Sequence, residues 1–184
     1  SFDRPAPLFD RVVVQLYDST EEALAAFRRG ELDGLDLVPW AAARDPRLVG
    51  ERARVYAPLL AGYTALFLNN QAQLFADVRV RQAISAAVDR VALVRDVLGG
   101  QGEPGNGPIP PTSWAYQEQT YRFDPVMARQ LLRDAGWEDQ NGDGILEQGG
   151  LNFRFTLLVN VDDPLRVAVA QAVARQLAEV GIAV

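Results

Sequence analysis

Apolar residues along the chain fall into two periods, alternate positions in some stretches and every third or fourth position in others. Phe9 to Tyr17 (FDRVVVQLY) is rich in β-branched residues, is bounded by Pro7 and by Asp18-Ser19-Thr20, and reads as a strand. Tyr63 to Asn70 is a second apolar strand, ending in two amides, and Leu151 to Val159 alternates into a third, with Asn160 to Asp163 as its exit loop. Helical spacing follows each strand. Ser19 or Thr20 offers an N-cap, Glu21 and Glu22 occupy a first turn where the helix dipole favours anions, and Gly30 closes that helix. A short alternating segment, residues 31–38, ends at Pro39, and a second helical stretch runs from Trp40 to Val49. Asp77 caps a helix whose Val80, Ile84 and Val88 share one stripe, and Asp89 caps the next, which ends at Gly99-Gly100. Asp124-Pro125 starts a helix that Gly136 ends, and Asp163-Pro164 starts a last one that Gly181 stops. Residues 99–118 are a long Gly/Pro segment and residues 138–150 a polar turn. Strands alternating with helices indicate an α/β or α+β layout.

Composition narrows the chemistry. All eighteen basic residues are arginine, and there is neither histidine nor cysteine, so thiol nucleophiles, imidazole acid–base pairs, Schiff-base lysines and Cys/His metal sites are excluded. Twenty-four acidic residues bring the net charge to −6, and no basic patch is large enough to neutralise a run of phosphates, so no nucleic-acid partner is expected. No stretch reaches the length of a membrane span, and Ser1 to Pro5 carry no basic segment leading into an apolar run. The chain lacks an initiator methionine and stops at Val184, where a strand should be starting, so it is expected to be a piece of a longer protein.

From Leu66 onward several signals come in a telling order: the Asn69-Asn70 strand end, Phe75-Ala76-Asp77-Val78-Arg79-Val80-Arg81-Gln82-Ala83, the Ile109-Pro110-Pro111 turn, Asp124-Pro125 with Ala135-Gly136-Trp137, and the Gly142-Asp143-Gly144 turn. In this order and spacing they resemble the periplasmic solute-binding proteins of the peptide/nickel ABC-transporter family, dipeptide- and oligopeptide-binding members above all. Residues 9–60, with FRRGELDG, resemble the family's preceding segment more weakly. The resemblance implies a type II periplasmic-binding-protein-like α/β fold, with residues 1–62 as a partial lobe-one segment and 63–184 as a C-terminal lobe truncated at its end. It implies a non-enzymatic protein that captures a peptide or similar small solute between two lobes and delivers it to membrane permease subunits. The implied location is periplasmic or extracytoplasmic, with membrane contact only through the permease or a lipid anchor outside this chain. No cofactor and no catalytic residue are expected.

Each candidate contact has a structural alternative. Asn69 and Asn70 could hydrogen-bond a peptide backbone or stabilise a hinge turn. Trp114 and Tyr116 could wall a cleft or pin the Gly/Pro loop to its own lobe. Asn160 stays open as a contact, whereas Asp163 is the helix cap. Arg79 and Arg81, two positions apart, do not share a helix face; one can pair with an acid while the other is solvated. Asp139, Asn141 and Asp143, with Gly144 at the sixth position, open like a calcium loop, but the twelfth position is Gly150, so an Asx-rich turn is the expectation and no metal is assigned. Two further classes stay open: a calcium-stabilised structural or interaction module, and a carboxylate-only hydrolase, for which nothing singles out a pair of acids.

Overall fold

The computed structural model describes residues 9–36, 38–43, 45–49, 53–56, 62–109, 113–117 and 122–184. The chain divides into two compact units, Ser1–Tyr56 and Ala57–Val184.

In the first unit, α1 (Thr20–Arg28) is capped by Ser19, whose hydroxyl accepts from the Glu22 amide at 3.2 Å, and it buries Leu24 and Ala26. The single helix expected over Trp40–Val49 is instead two short ones, α2 (Trp40–Ala43) and α3 (Pro46–Val49), and α3 packs against α1. Pro46 explains the break. It has no N–H to continue a helix and disfavours helical backbone at the residue before it. Asp45 then restarts the chain by accepting from the Arg47 amide.

The second unit is built on helices that the local signals start and stop. One turn of 3-10 helix, Gln73–Phe75, leads to α4 (Val78–Ala87), capped by Asp77. Next come α5 (Arg90–Ala92), capped by Asp89 and continued by a π-helical turn at Leu93–Val97, then α6 (Pro125–Asp134), capped by Asp124, and α7 (Pro164–Ala178), capped by Asp163. The stripe on α4 holds: Val80 and Ile84 are buried and Val88 packs at the edge of the core. α6 lies along α4, and Asp124 ties the two together by donating its amide to the Ala86 carbonyl at 2.8 Å. Trp137, Phe153, Leu132, Leu177 and Ile182 are the largest fully buried side chains. The Trp137 and Phe153 rings lie 4.5 Å apart, and Phe155 meets Phe75 edge-on at 5.2 Å.

The expected strands are the main departure. Among the described residues the only sheet is a hairpin of β1 (Glu147–Gln148) and β2 (Leu151–Asn152), with single bridges from Glu138 to Glu147 and, in parallel, from Arg154 to Ala183. With the other described residues, 9–17 and 63–70 form no ladder, and 153–159 form none beyond the bridge at Arg154. A strand is defined by its partner, because its backbone donors and acceptors point sideways and are met only by a neighbour. Side chains in the second unit nonetheless alternate in part. Leu66 and Leu68 pack on the core while Phe67 is exposed, and Phe153 and Phe155 face inward while Arg154 and Thr156 face out.

Candidate functional site

The five candidate contacts occupy three places on the second unit, each set by local backbone chemistry. Asn69 ends the 63–69 stretch and turns it toward the 3-10 helix. Its Oδ1 accepts from the Gln71 amide at 3.1 Å and its carbonyl from the Ala72 amide at 2.9 Å. Asn160 repeats the arrangement at the end of the 153–159 stretch: Oδ1 accepts from the Asp162 amide at 3.1 Å, and the carbonyl from the Asp163 amide at 3.3 Å. Both are Asx turns in which the side-chain oxygen substitutes for backbone. Both side chains are exposed, as is Asn70, and in each turn the amide NH2 donates to no acceptor among the described residues.

The two aromatics of the Gly/Pro loop part company. A turn closes at Ser113, whose carbonyl accepts from the Tyr116 amide at 3.1 Å and whose hydroxyl accepts from the Ala115 amide at 3.2 Å. Tyr116 is half-buried and, with Val88, Asp89, Glu103, Pro104 and Phe123, lines a cleft of about 360 Å3 against the α4–α5 corner. Trp114 is 99% exposed. None of the other four candidates lines that cleft. Pro110 and Pro111, which carried part of the resemblance, lie outside the described residues.

The two arginines both act on the scaffold. Arg79 pairs with Asp77 at 2.6 Å and donates to the Asp134 carbonyl, joining the start of α4 to the end of α6. Arg81, the one of the two that pairs with no acid among the described residues, is half-buried rather than solvated and donates to the Phe75 and Ala76 carbonyls at 2.8 and 2.9 Å. Those carbonyls end the 3-10 turn and need a donor that no helix supplies.

Asp139, Asp143 and Glu147 place carboxylate oxygens within 4.8 Å of one another. The turn's own donors engage them. Asp139 accepts from the Gly142 and Gly144 amides, Asp143 from the Ile145 amide, and Glu147 from the Gln140 amide and the Asn141 side chain. This is the Asx-rich turn expected, with one addition that spacing did not reveal: Glu147 is only 6% exposed and anchors the turn from beneath.

Glu31, Asp45, Asp77 and Asp96 are each held below the ordinary carboxylate range by a hydrogen-bonding arginine one or two residues away. A general acid needs the opposite displacement. Neither this cleft nor the second, of about 460 Å3 between α6 and the end of α7, contains any of the four.

Comparison with known proteins supplies what the geometry alone does not. A profile described as "Bacterial extracellular solute-binding proteins, family 5 Middle" matches residues 2–184. Oligopeptide-binding protein AppA of Bacillus subtilis (strain 168) is 33% identical over 97% of this chain, which covers 33% of the relative. Heme-binding protein A of Haemophilus influenzae is 31% identical over 70% of the chain. Among solved structures, NikZ from Campylobacter jejuni in complex with Ni(L-His) superposes with a TM-score of 0.74 at 28% identity, over 88% of this chain and 32% of that one. AppA in complex with a nonapeptide superposes with a TM-score of 0.59 at 40% identity, over 62% of this chain and 24% of that one. The chain thus spans about a third of the length of the relatives it matches.

Proposed function

The chain belongs to the bacterial extracellular solute-binding proteins of family 5, and from that membership we propose that it is part of the substrate-binding component of an ABC importer. The observation that carries the reading is the extent of the match: the family profile runs from residue 2 to residue 184. The cargo is a peptide or a similar small solute, a class supported by relatives named for oligopeptides and by a neighbour solved with a nonapeptide. Nickel–histidine and heme in other relatives mark how widely cargo varies among similar chains.

In this reading the protein performs no chemistry. Residues 1–62 belong to the first lobe and residues 63–184 to the C-terminal lobe. Asn69, Asn70 and Asn160 present amide donors to the main chain of the bound solute, and Trp114 and Tyr116 supply apolar contact area with a polar tip. Asn160 has an additional argument. It stands at the carboxyl end of a segment that pairs in parallel with Ala183 after the α7 crossover, and open α/β sheets bind ligands off the carboxyl ends of their strands. Lobe closure over the solute then stabilises one conformation through contacts made only there. The protein works outside the cytoplasm, in the periplasm or its equivalent, and hands cargo to permease subunits.

The test is isothermal titration of the longer protein with di- to pentapeptides. Binding is expected, and Asn160→Ala is expected to weaken it by about 2- to 12-fold, the loss of one neutral hydrogen bond. Absence of heat with every peptide would remove the peptide assignment. Unchanged affinity in Asn69→Ala, Asn70→Ala and Asn160→Ala alike would remove the amide contacts.

A further inference from the structure

The cleft between the α4–α5 corner and the Gly/Pro loop has a chemistry of its own. Val88, Pro104, Tyr116 and Phe123 form its apolar wall, and two carboxylates, Asp89 and Glu103, are set into it. Asp89 is fixed by two bonds. Its amide donates to Oε1 of Gln176 on α7 at 3.0 Å, and its Oδ1 accepts from the Ala92 amide at 2.9 Å. Its Oδ2 and both carboxylate oxygens of Glu103 accept no hydrogen bond and form no ion pair among the described residues. Arg90, the cation in the lining, turns back toward α4, where it donates to the Ser85 carbonyl at 3.1 Å and the Ser85 hydroxyl at 2.8 Å. Arg95, on the π-helical turn, pairs with Asp96 and feels Asp89 more weakly. The lining thus offers acceptors in excess beside two aromatic residues.

We infer that this cleft binds a small organic cation, a guanidinium or ammonium head on an apolar stem. The head pairs with Asp89 and Glu103 through charge-assisted hydrogen bonds. The stem lies along Pro104, Tyr116 and Phe123, where an aromatic face adds cation–π attraction. The volume of about 360 Å3 falls in the ~300–1,000 Å3 range of small-molecule sites. Two carboxylates repel an anion. Two sources carry the required chemistry: a free amine or guanidine, and the basic side chain of a peptide cargo. The inference stands apart from the importer reading, because the cleft lies wholly within the second unit and engages no peptide main chain.

The probes are n-butylguanidine and n-butylurea, which share a stem and differ in charge, titrated calorimetrically into the full-length protein. The guanidine is expected to bind saturably and the urea about 10-fold more weakly, the worth of one charge-assisted hydrogen bond. Glu103→Gln is expected to abolish this preference. Glu103 is exposed and bonds nothing in the fold, so the variant should fold normally. Asp10→Asn removes an exposed carboxylate of the first unit and is expected to keep the preference, which separates the cleft from net charge. A second arm compares peptides that differ only in carrying arginine or citrulline at one position. Equal peptide affinities beside guanidine binding assign the cleft to free cations, whereas an arginine preference lost in Glu103→Gln assigns it to the cargo's side chain. If neither pair shows a preference that depends on Glu103, or if Asp10→Asn abolishes it equally, the inference is overturned, even where peptides bind. Guanidine binding without any peptide binding would instead uphold the cleft and remove the peptide assignment.

Discussion

Gly181 meets two separate demands, and replacing it with alanine measures both. After α7 the chain reverses so that Ile182 can enter the core. The Ile182 amide reaches back to the Leu177 carbonyl at 3.1 Å, and this closure holds Gly181 at φ +88°. An L-residue in that backbone region costs about 1–2 kcal/mol. The second demand is space. A Cβ at this position would lie 2.6 Å from Leu146 Cγ and 3.0 Å from its Cδ2. Leu146 cannot retreat freely, because it packs against the core and its amide donates to the Gly181 carbonyl at 2.9 Å. Overpacking of this kind costs about 1–3 kcal/mol. Gly181→Ala should therefore destabilise the chain by about 2–5 kcal/mol, read as a lowered midpoint in urea or as a fall in Tm of about 2–4 °C per kcal/mol. The double variant Gly181→Ala/Leu146→Ala separates the contributions. Removing the Leu146 side chain deletes the clash and leaves the backbone strain, so the two changes together should cost less than the sum of each alone, by about 1–2 kcal/mol. A loss below about 0.5 kcal/mol in Gly181→Ala, the range of an indifferent surface change, would refute the argument. Strict additivity in the double variant would refute its steric half.

Trp137 fills the centre of the second unit against Phe153, so Trp137→Ala should cost about 3–5 kcal/mol by denaturant titration, and a cost under about 1 kcal/mol would show that this centre is not a packed core. Asp77 accepts from the Arg79 guanidinium and amide, which holds its carboxyl below the ordinary aspartate range in the folded chain. A lowered folded pKa makes its stabilising contribution fully present at neutral pH and removes it as the pH falls through the lowered value. NMR titration should find Asp77 protonating below an unpaired aspartate such as a peptide reference, with Arg79→Ala moving it back up; no movement would detach the shift from that pair.

Helix boundaries were legible in the sequence because the chemistry that sets them is local. Ser19, Asp77, Asp89, Asp124 and Asp163 each bond an amide two or three residues ahead, and all five were readable from residue type and position. Pro46 is an equally local signal, and it divides the stretch expected as one helix over residues 40–49. The strands were another matter. The alternation read over Leu151–Val159 is present in Phe153 and Phe155, which pack on the core while Arg154 and Thr156 face out, but pairing depends on residues far along the chain. The distant hydrogen bonds of the site region were likewise invisible. Nothing in the spacing of Arg81 announces that its guanidinium will serve the carbonyls of residues 75 and 76, and nothing in Glu147 announces burial beneath the 139–144 turn. Trp114 and Tyr116 looked equivalent as aromatics of one loop. Only their positions within the Ser113 turn sent one inward and the other into solvent.

The order in which the parallel pair is synthesised has a consequence for the living cell. Residues 153–159 leave the ribosome before α7 and well before Ala183, which bridges Arg154 in parallel. Ala183 lies 29 positions after its partner Arg154, so translation at about 5–20 residues per second leaves that apolar segment waiting for roughly 1.5–6 s. Through that interval each nascent chain carries an adhesive β-edge, so crowded polysomes are where this protein is most exposed to aggregation and where a holding chaperone has most to protect.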